Sequence, residues 1–163
     1  MRTHRMLASA TLALVLTAVS ACGSSSSTGS ANPTAGCINA SAPHHAYVVV
    51  EHLSGSTVQR CVGFSTDNID ASTLMDSSGI EYQTQTFSFG KAICQIDSEP
   101  KQYTECLPQN QPYWELFLES NGAWAPAQTG YAQVALRDRE ALGWQYVAQT
   151  GPTPAPPPLP NEV

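Results

Sequence analysis

The residues of this 163-residue chain that could do chemistry are its histidines, its cysteines and a few carboxylates. Their spacing decides which chemistry is open to them. His44, His45 and His52 invite a metal reading. Seven residues of strand would hold His45 and His52 roughly 23 Å apart, and the adjacent His44 and His45 point to opposite sides of a strand, so no metal site is expected. Glu115 and Glu119 share a strand face, but four residues of strand is roughly 13 Å, beyond the roughly 5–9.5 Å of a glycosidase pair. They read as a solvated face. No Gly-Lys-[Ser/Thr] loop, HExxH or GxSxG motif occurs, so no catalytic residue is assigned and no enzyme is expected. Cys37, Cys61, Cys94 and Cys106 lack CxxC spacing, and no histidine falls near the second pair. Disulfides are therefore expected in place of zinc. Three connectivities are possible, and local pairing, 37–61 and 94–106, is the choice made here. Each loop closed this way is worth roughly 3 kcal/mol.

The fifth cysteine stands apart. Met1–Arg5 carries two arginines, and Met6–Val19 is an apolar run, too short for the roughly twenty residues that span a bilayer but suited to a signal peptide. The run ends Val19-Ser20-Ala21-Cys22, then Gly23 and four serines. This resembles the bacterial lipobox, in which small residues admit the peptidase and the cysteine thiol accepts a diacylglycerol. Residues 1–21 are thus expected to be a lipoprotein signal peptide. Residues 22–43 form the lipid anchor at Cys22 and a flexible Ser/Gly-rich linker, and the protein sits on the extracytoplasmic face of a cell membrane. Gly151–Val163 holds six of the twelve prolines, so residues 150–163 read as an extended, disordered Pro-rich tail. The folded unit spans 44–149, with Cys37 tied to it.

Net charge is −6 and charged residues are 12% of the chain. Removal of Arg2 and Arg5 with the leader deepens the charge to −8. With no basic run, nucleic acid is not expected as a partner, nor is a polybasic footing on lipid.

The elements that must carry these residues can be read from periodicity. Ala46–Glu51 and Val58–Phe64 are β-branched strands joined through Ser54-Gly55-Ser56. One helix over Asn68–Ser78 is expected, capped by Asp67 and closed by Gly79, with Ile69, Leu74 and Met75 buried. Strands follow at Ile80–Phe87, Lys91–Asp97, Trp114–Glu119, Tyr131–Leu136 and Leu142–Val147, with Asn121-Gly122 as a hairpin turn. Trp114, Leu116 and Leu118 share one face, as do Leu142, Trp144 and Tyr146. The fold class is α+β: a mainly antiparallel sheet with one packed helix and two disulfides.

The order Val48-Val49-Val50-Glu51, Arg60-Cys61, Cys94-Gln95-Ile96-Asp97, Cys106, Tyr113-Trp114, Gly143-Trp144 is similar to the C-terminal β domain of transcobalamin and intrinsic factor. It is closest in pattern to related actinobacterial exported proteins. The resemblance implies a β-grasp-like fold. It also implies a flat ligand, since in the vertebrate carriers this domain covers one face of cobalamin. The helical-barrel domain that covers the other face does not fit within 163 residues.

Phe89, Tyr113, Phe117 and Trp124 are the candidate ligand-binding residues. Phe117 stands opposite the core face of its strand, and the others lie in or near turns, where aromatics often serve recognition. The expected function is a non-catalytic binding or interaction domain of a cell-envelope lipoprotein, with an unidentified protein partner or small flat ligand and no resident cofactor. The alternative, by resemblance, is capture of a corrinoid to assist uptake.

Overall fold

The computed structural model describes residues 36–148 and 154–161; the leader, Cys22 and the first part of the linker lie outside the described residues. Ten strands and one α-helix follow in chain order among them: β1 (Cys37–Ile38), β2 (His44–Glu51), β3 (Thr57–Phe64), β4 (Ile69–Asp70), α1 (Ala71–Ser78), β5 (Tyr82–Phe87), β6 (Gly90–Ile96), β7 (Tyr113–Ser120), β8 (Ala123–Pro126), β9 (Ala135–Leu136) and β10 (Ala141–Val147). A six-stranded sheet in the order β1-β3-β2-β10-β7-β8 forms the body, with two small ribbons, β4–β9 and β5–β6.

The α+β class holds, and pairing is mainly antiparallel, in three of the five contacts of the main sheet and in both ribbons; the main sheet also contains parallel contacts. Its central pairing, β2 with β10, is parallel, as is β1 with β3. Alternation within a strand reports which face is buried and nothing about neighbour direction. The turns follow their residues. Gly55 and the Asn121-Gly122 pair all take positive φ (80°, 56° and 79°): the two-residue Asn121-Gly122 hairpin demands it at both positions, and Gly55 takes it near the end of the longer loop between β2 and β3.

The helix is shorter than its expected span. Ile69 and Asp70 pair with Leu136 and Ala135, and the Ala71 amide donates to the Val134 carbonyl. Asp70, not Asp67, is the N-cap residue, and its side chain makes no capping bond. The long-range ribbon outcompetes the local capping signal. The other end follows the sequence: Gly79 is left-handed at φ 72°. The expected strand over Tyr131–Leu136 is instead a 3-10 turn at Tyr131–Gln133 leading into β9.

The helix and the β5–β6 hairpin cover the first face of the sheet. There Val48, Val50, Val62, Leu142 and Trp144 pack on Leu74, Met75, Ile93 and Ile96. Apolar burial of this kind contributes about 1.5–3 kcal/mol per large side chain. On the second face Tyr47, Cys61 and Ala141 are buried, with Cys37 and Trp124 packed against them. Both disulfides pair as expected, Cys37–Cys61 and Cys94–Cys106. The first changes the domain boundary. Residues 37–43 are folded, not linker, because the bridge, the β1–β3 pairing and a 3.1 Å bond from Asn39 Nδ2 to the Gly63 carbonyl hold them on the sheet.

Candidate functional site

The second face of the sheet is where the structure departs most from expectation. Residues 154–161, read from sequence as disordered tail, lie on it. Pro157 and Pro160 are buried and Pro154 is half-buried, while Ala155, Pro156, Pro158, Leu159 and Asn161 are exposed. Burial at every third residue is the period of a polyproline II helix. The run Pro156-Pro157-Pro158 enforces that conformation through fixed φ and the restriction on each preceding residue.

The sheet provides a seat for it. Gly143 on β10 has no side chain, and a Cβ there would come within 2.9 Å of the Pro157 ring and 2.7 Å of the Trp124 ring. Gln59, Val49, Gly143 and Phe117 form one row across β3, β2, β10 and β7. At its far end Gln59 Nε2 donates to the Asn161 carbonyl and Gln59 Oε1 accepts from the Asn161 amide, both at 3.0 Å. Two strand spacings, roughly 10 Å, separate Gly143 from Gln59. Four polyproline II residues span roughly 12 Å, so Pro157 and Asn161 reach their two contacts without distortion. The Trp124 indole nitrogen is buried and makes no hydrogen bond among the described residues.

A second cluster lies beyond the end of β2. His52 Nδ1 is 2.7 Å from Glu99 Oε2, and its Nε2 is 3.7 Å from Asp97 Oδ2. The ring stands edge-on to Trp114 at 5.7 Å, while the Trp114 indole donates to the Glu99 carbonyl at 3.0 Å. Asp97 and Ser98 take positive φ (46° and 63°), and that turn aims both carboxylates at the imidazole. An open groove of about 600 Å³ runs beside His52, Asp97 and Tyr146. Burial, and then the Glu99 carboxylate, hold the Tyr146 hydroxyl above the usual phenol range. No group of three or more His, Cys, Asp or Glu among the described residues is arranged to hold a metal ion. What the arrangement does is join the β2–β3 hairpin to the loop after β6 through a charge-assisted bond. The long strand distance between His45 and His52 concealed it, because His52 partners acids 45 and 47 residues away and not another histidine.

Of the four expected ligand-binding aromatics, Phe117 and Trp124 both border Gly143 on the second face. Phe89 lies in the β5–β6 turn, 61% exposed and stacked on Phe87 at 5.1 Å. Tyr113 begins β7, half-buried, and burial followed by the Glu115 carboxylate raises its pKa. Phe117 is only 2% exposed, so it is core of the second face and not a free recognition residue. Trp124 lies in β8, half-buried, its ring turned over Gly143. Glu119 is likewise no solvated carboxylate. It is 3% exposed, and its Oε1 accepts from the Gly122 amide at 2.6 Å, fixing the hairpin. The residues that sequence reading missed are Gln59, Gly143 as a seat, Pro157 and Asp97–Glu99; the prolines' spacing of three was one available signal.

No family model matches the chain, and no curated protein matches it. Among solved structures, a protein of Ruminococcus gnavus described as a candidate metal binder is similar at 17% identity, covering 64% of this chain and 97% of its own, with a TM-score of 0.49. A likeness of that size carries no inference for this chain. No helix among the described residues is long and apolar enough to cross a membrane.

Proposed function

We propose that the protein is a cell-envelope lipoprotein, anchored through a lipid on Cys22 at the extracytoplasmic face, whose folded domain is a non-catalytic binding module. The observation that carries this reading is the Cys37–Cys61 disulfide. It staples the start of the domain to β3 fifteen residues after the lipobox cysteine, so a pull on the anchor enters the sheet through a covalent bond. Such bridges form and persist in oxidising compartments and are rare in the cytosol. The strand order β3-β2-β10-β7-β8, with the first hairpin's inner strand parallel to the last strand and a helix packed across them, supports a β-grasp-like fold.

The test is expression of the full chain in a bacterial host fed labelled fatty acid. The wild type enters the membrane fraction carrying label, and Cys22→Ala loses both. Equal membrane partition of the two, without label, would end the reading. The corrinoid alternative calls for a shared aromatic surface, and Phe89, Tyr113 and Trp124 stand on separate elements. Calorimetry with cobalamin addresses it directly: absence of heat up to roughly millimolar ligand leaves less than about 4 kcal/mol of affinity.

A further inference from the structure

The geometry points to the second face of the sheet as a binding site for proline-rich peptides in polyproline II conformation. The chain's own residues 154–161 occupy that site in cis, and a proline-rich segment of another protein takes it in trans. This rests on the reading of the domain as a binding module, though not on its anchor.

Three features form the site, and each reads the conformation rather than a particular sequence. Gly143 leaves a space that a single methyl group would fill, bordered by the Pro157 and Trp124 rings. Only every third residue of the tail is buried, Pro157 and Pro160, so any peptide with prolines three apart presents the same face. Gln59 then grips the Asn161 backbone at both its N–H and its C=O, a contact available to any residue but proline. Aromatic-walled slots of this kind favour polyproline II ligands because the peptide is already extended and loses little entropy on docking.

The tail is a replaceable occupant. Leu159 is 50% exposed, and no disulfide or ion pair found among the described residues holds the segment down. Being on the same chain, the tail competes at an effective concentration on the order of millimolar. A free peptide of roughly 100 µM dissociation constant is therefore weakened about tenfold by it.

The experiment titrates a fluorescein-labelled peptide of residues 152–163 into the full chain, wild type against Pro157→Glu/Pro160→Glu, by anisotropy. Far-ultraviolet circular dichroism and two intact disulfides verify folding. The double variant, its own tail expelled by buried charge, is expected to bind at least tenfold more tightly than wild type. Adding Trp124→Ala to that variant abolishes binding. A folded double variant that ignores the peptide at millimolar concentration overturns the proposal, and so does equal binding by both proteins. A wild-type dimer that the double variant loses also overturns it, by giving the site to the tail of a second copy. Loss of lipidation in Cys22→Ala leaves every one of these outcomes unchanged, so the two readings fail separately.

Discussion

Removing the Cys37–Cys61 bridge tests how the start of the domain is held. The bridge closes a loop of 24 residues with Cα atoms 4.4 Å apart. In the chain-entropy description such a loop is worth about 3.4 kcal/mol at 25 °C. The local structure it supports has little else. β1 is two residues long and meets β3 at two register positions, Cys37 with Cys61 and Ile38 with Val62, with the Asn39–Gly63 bond and a 3.2 Å bond from the His45 ring to the Ala40 carbonyl as further ties. The net worth of a single hydrogen bond is about 1 kcal/mol. Cys37→Ala/Cys61→Ala is therefore expected to lose about 3–4 kcal/mol, a large part of the roughly 5–15 kcal/mol that holds a domain of this size. Urea unfolding followed by tryptophan emission reads it. With a slope of about 2 kcal/mol per molar, the midpoint falls by about 1.5–2 M. The same treatment gives about 2.8 kcal/mol for the 12-residue Cys94–Cys106 loop, a difference too small to rank the two. Both losses should be large. A midpoint shift under about 0.5 M for the first pair would refute the reasoning and leave residues 37–43 held by something other than the bridge.

Gly63→Ala places a Cβ 2.1 Å from the Asn39 carbonyl oxygen and 2.9 Å from the Ala42 Cβ. Backbone cannot yield as a side chain would, so a thermal melt should register a loss of at least about 2 kcal/mol. His52→Ala removes a part-buried bond to Glu99, and about 1.5–3 kcal/mol is expected from an interaction with a charged group. A double-mutant cycle with Glu99→Gln should give a coupling above about 0.5 kcal/mol; strict additivity would dissolve the pair. Tyr82, Tyr113, Tyr131 and Tyr146 all hold their protons more tightly when folded, chiefly because they are buried, with the Asp76 carboxylate as a further cause at Tyr82. The unfolded chain ionises them near pH 10, so above that pH it binds fewer protons than the native state and stability falls as pH rises. Tyrosinate absorbance in a pH jump to 12 should develop partly with the unfolding rate, and a wholly immediate rise would contradict it. Phe89→Ser, at an exposed turn, should shift stability by no more than about 0.5 kcal/mol.

Local chemistry was legible wherever it is decided locally. Asn121-Gly122 demanded a tight hairpin, Gly79 ended the helix, and alternation in β7 and β10 named the residues of the first core face. The disulfides could be paired because each joins neighbours in the chain. What escaped was decided at long range. The helix lost its expected first turn to a ribbon with residues 135–136, which no cap at Asp67 could foretell. The parallel pairing of β2 with β10 was invisible for the same reason: a strand's pattern is identical whichever way its neighbour runs.

The second face shows why a buried surface can hide from periodicity altogether. Strands repeat every two residues and helices every 3.6, and the tail carries neither period. Polyproline II has no internal hydrogen bonds and a period of three, so its contacts leave the composition of a linker unchanged. The signal for it lay on the other side of the contact. Phe117 stands opposite the core face of its strand, Trp124 follows a turn, and Gly143 lies inside a strand, where a glycine's flexibility is a cost. All three make sense once Pro157 fills the space above Gly143. A strand face that carries surplus aromatics around a glycine is therefore incomplete as written, and the chain's own prolines supply the missing layer. Whether that layer is permanent cover or a displaceable ligand depends on how much of it is gripped. With one residue in three buried and a single side chain holding its backbone, the contact has the scale of a peptide complex and not of a core.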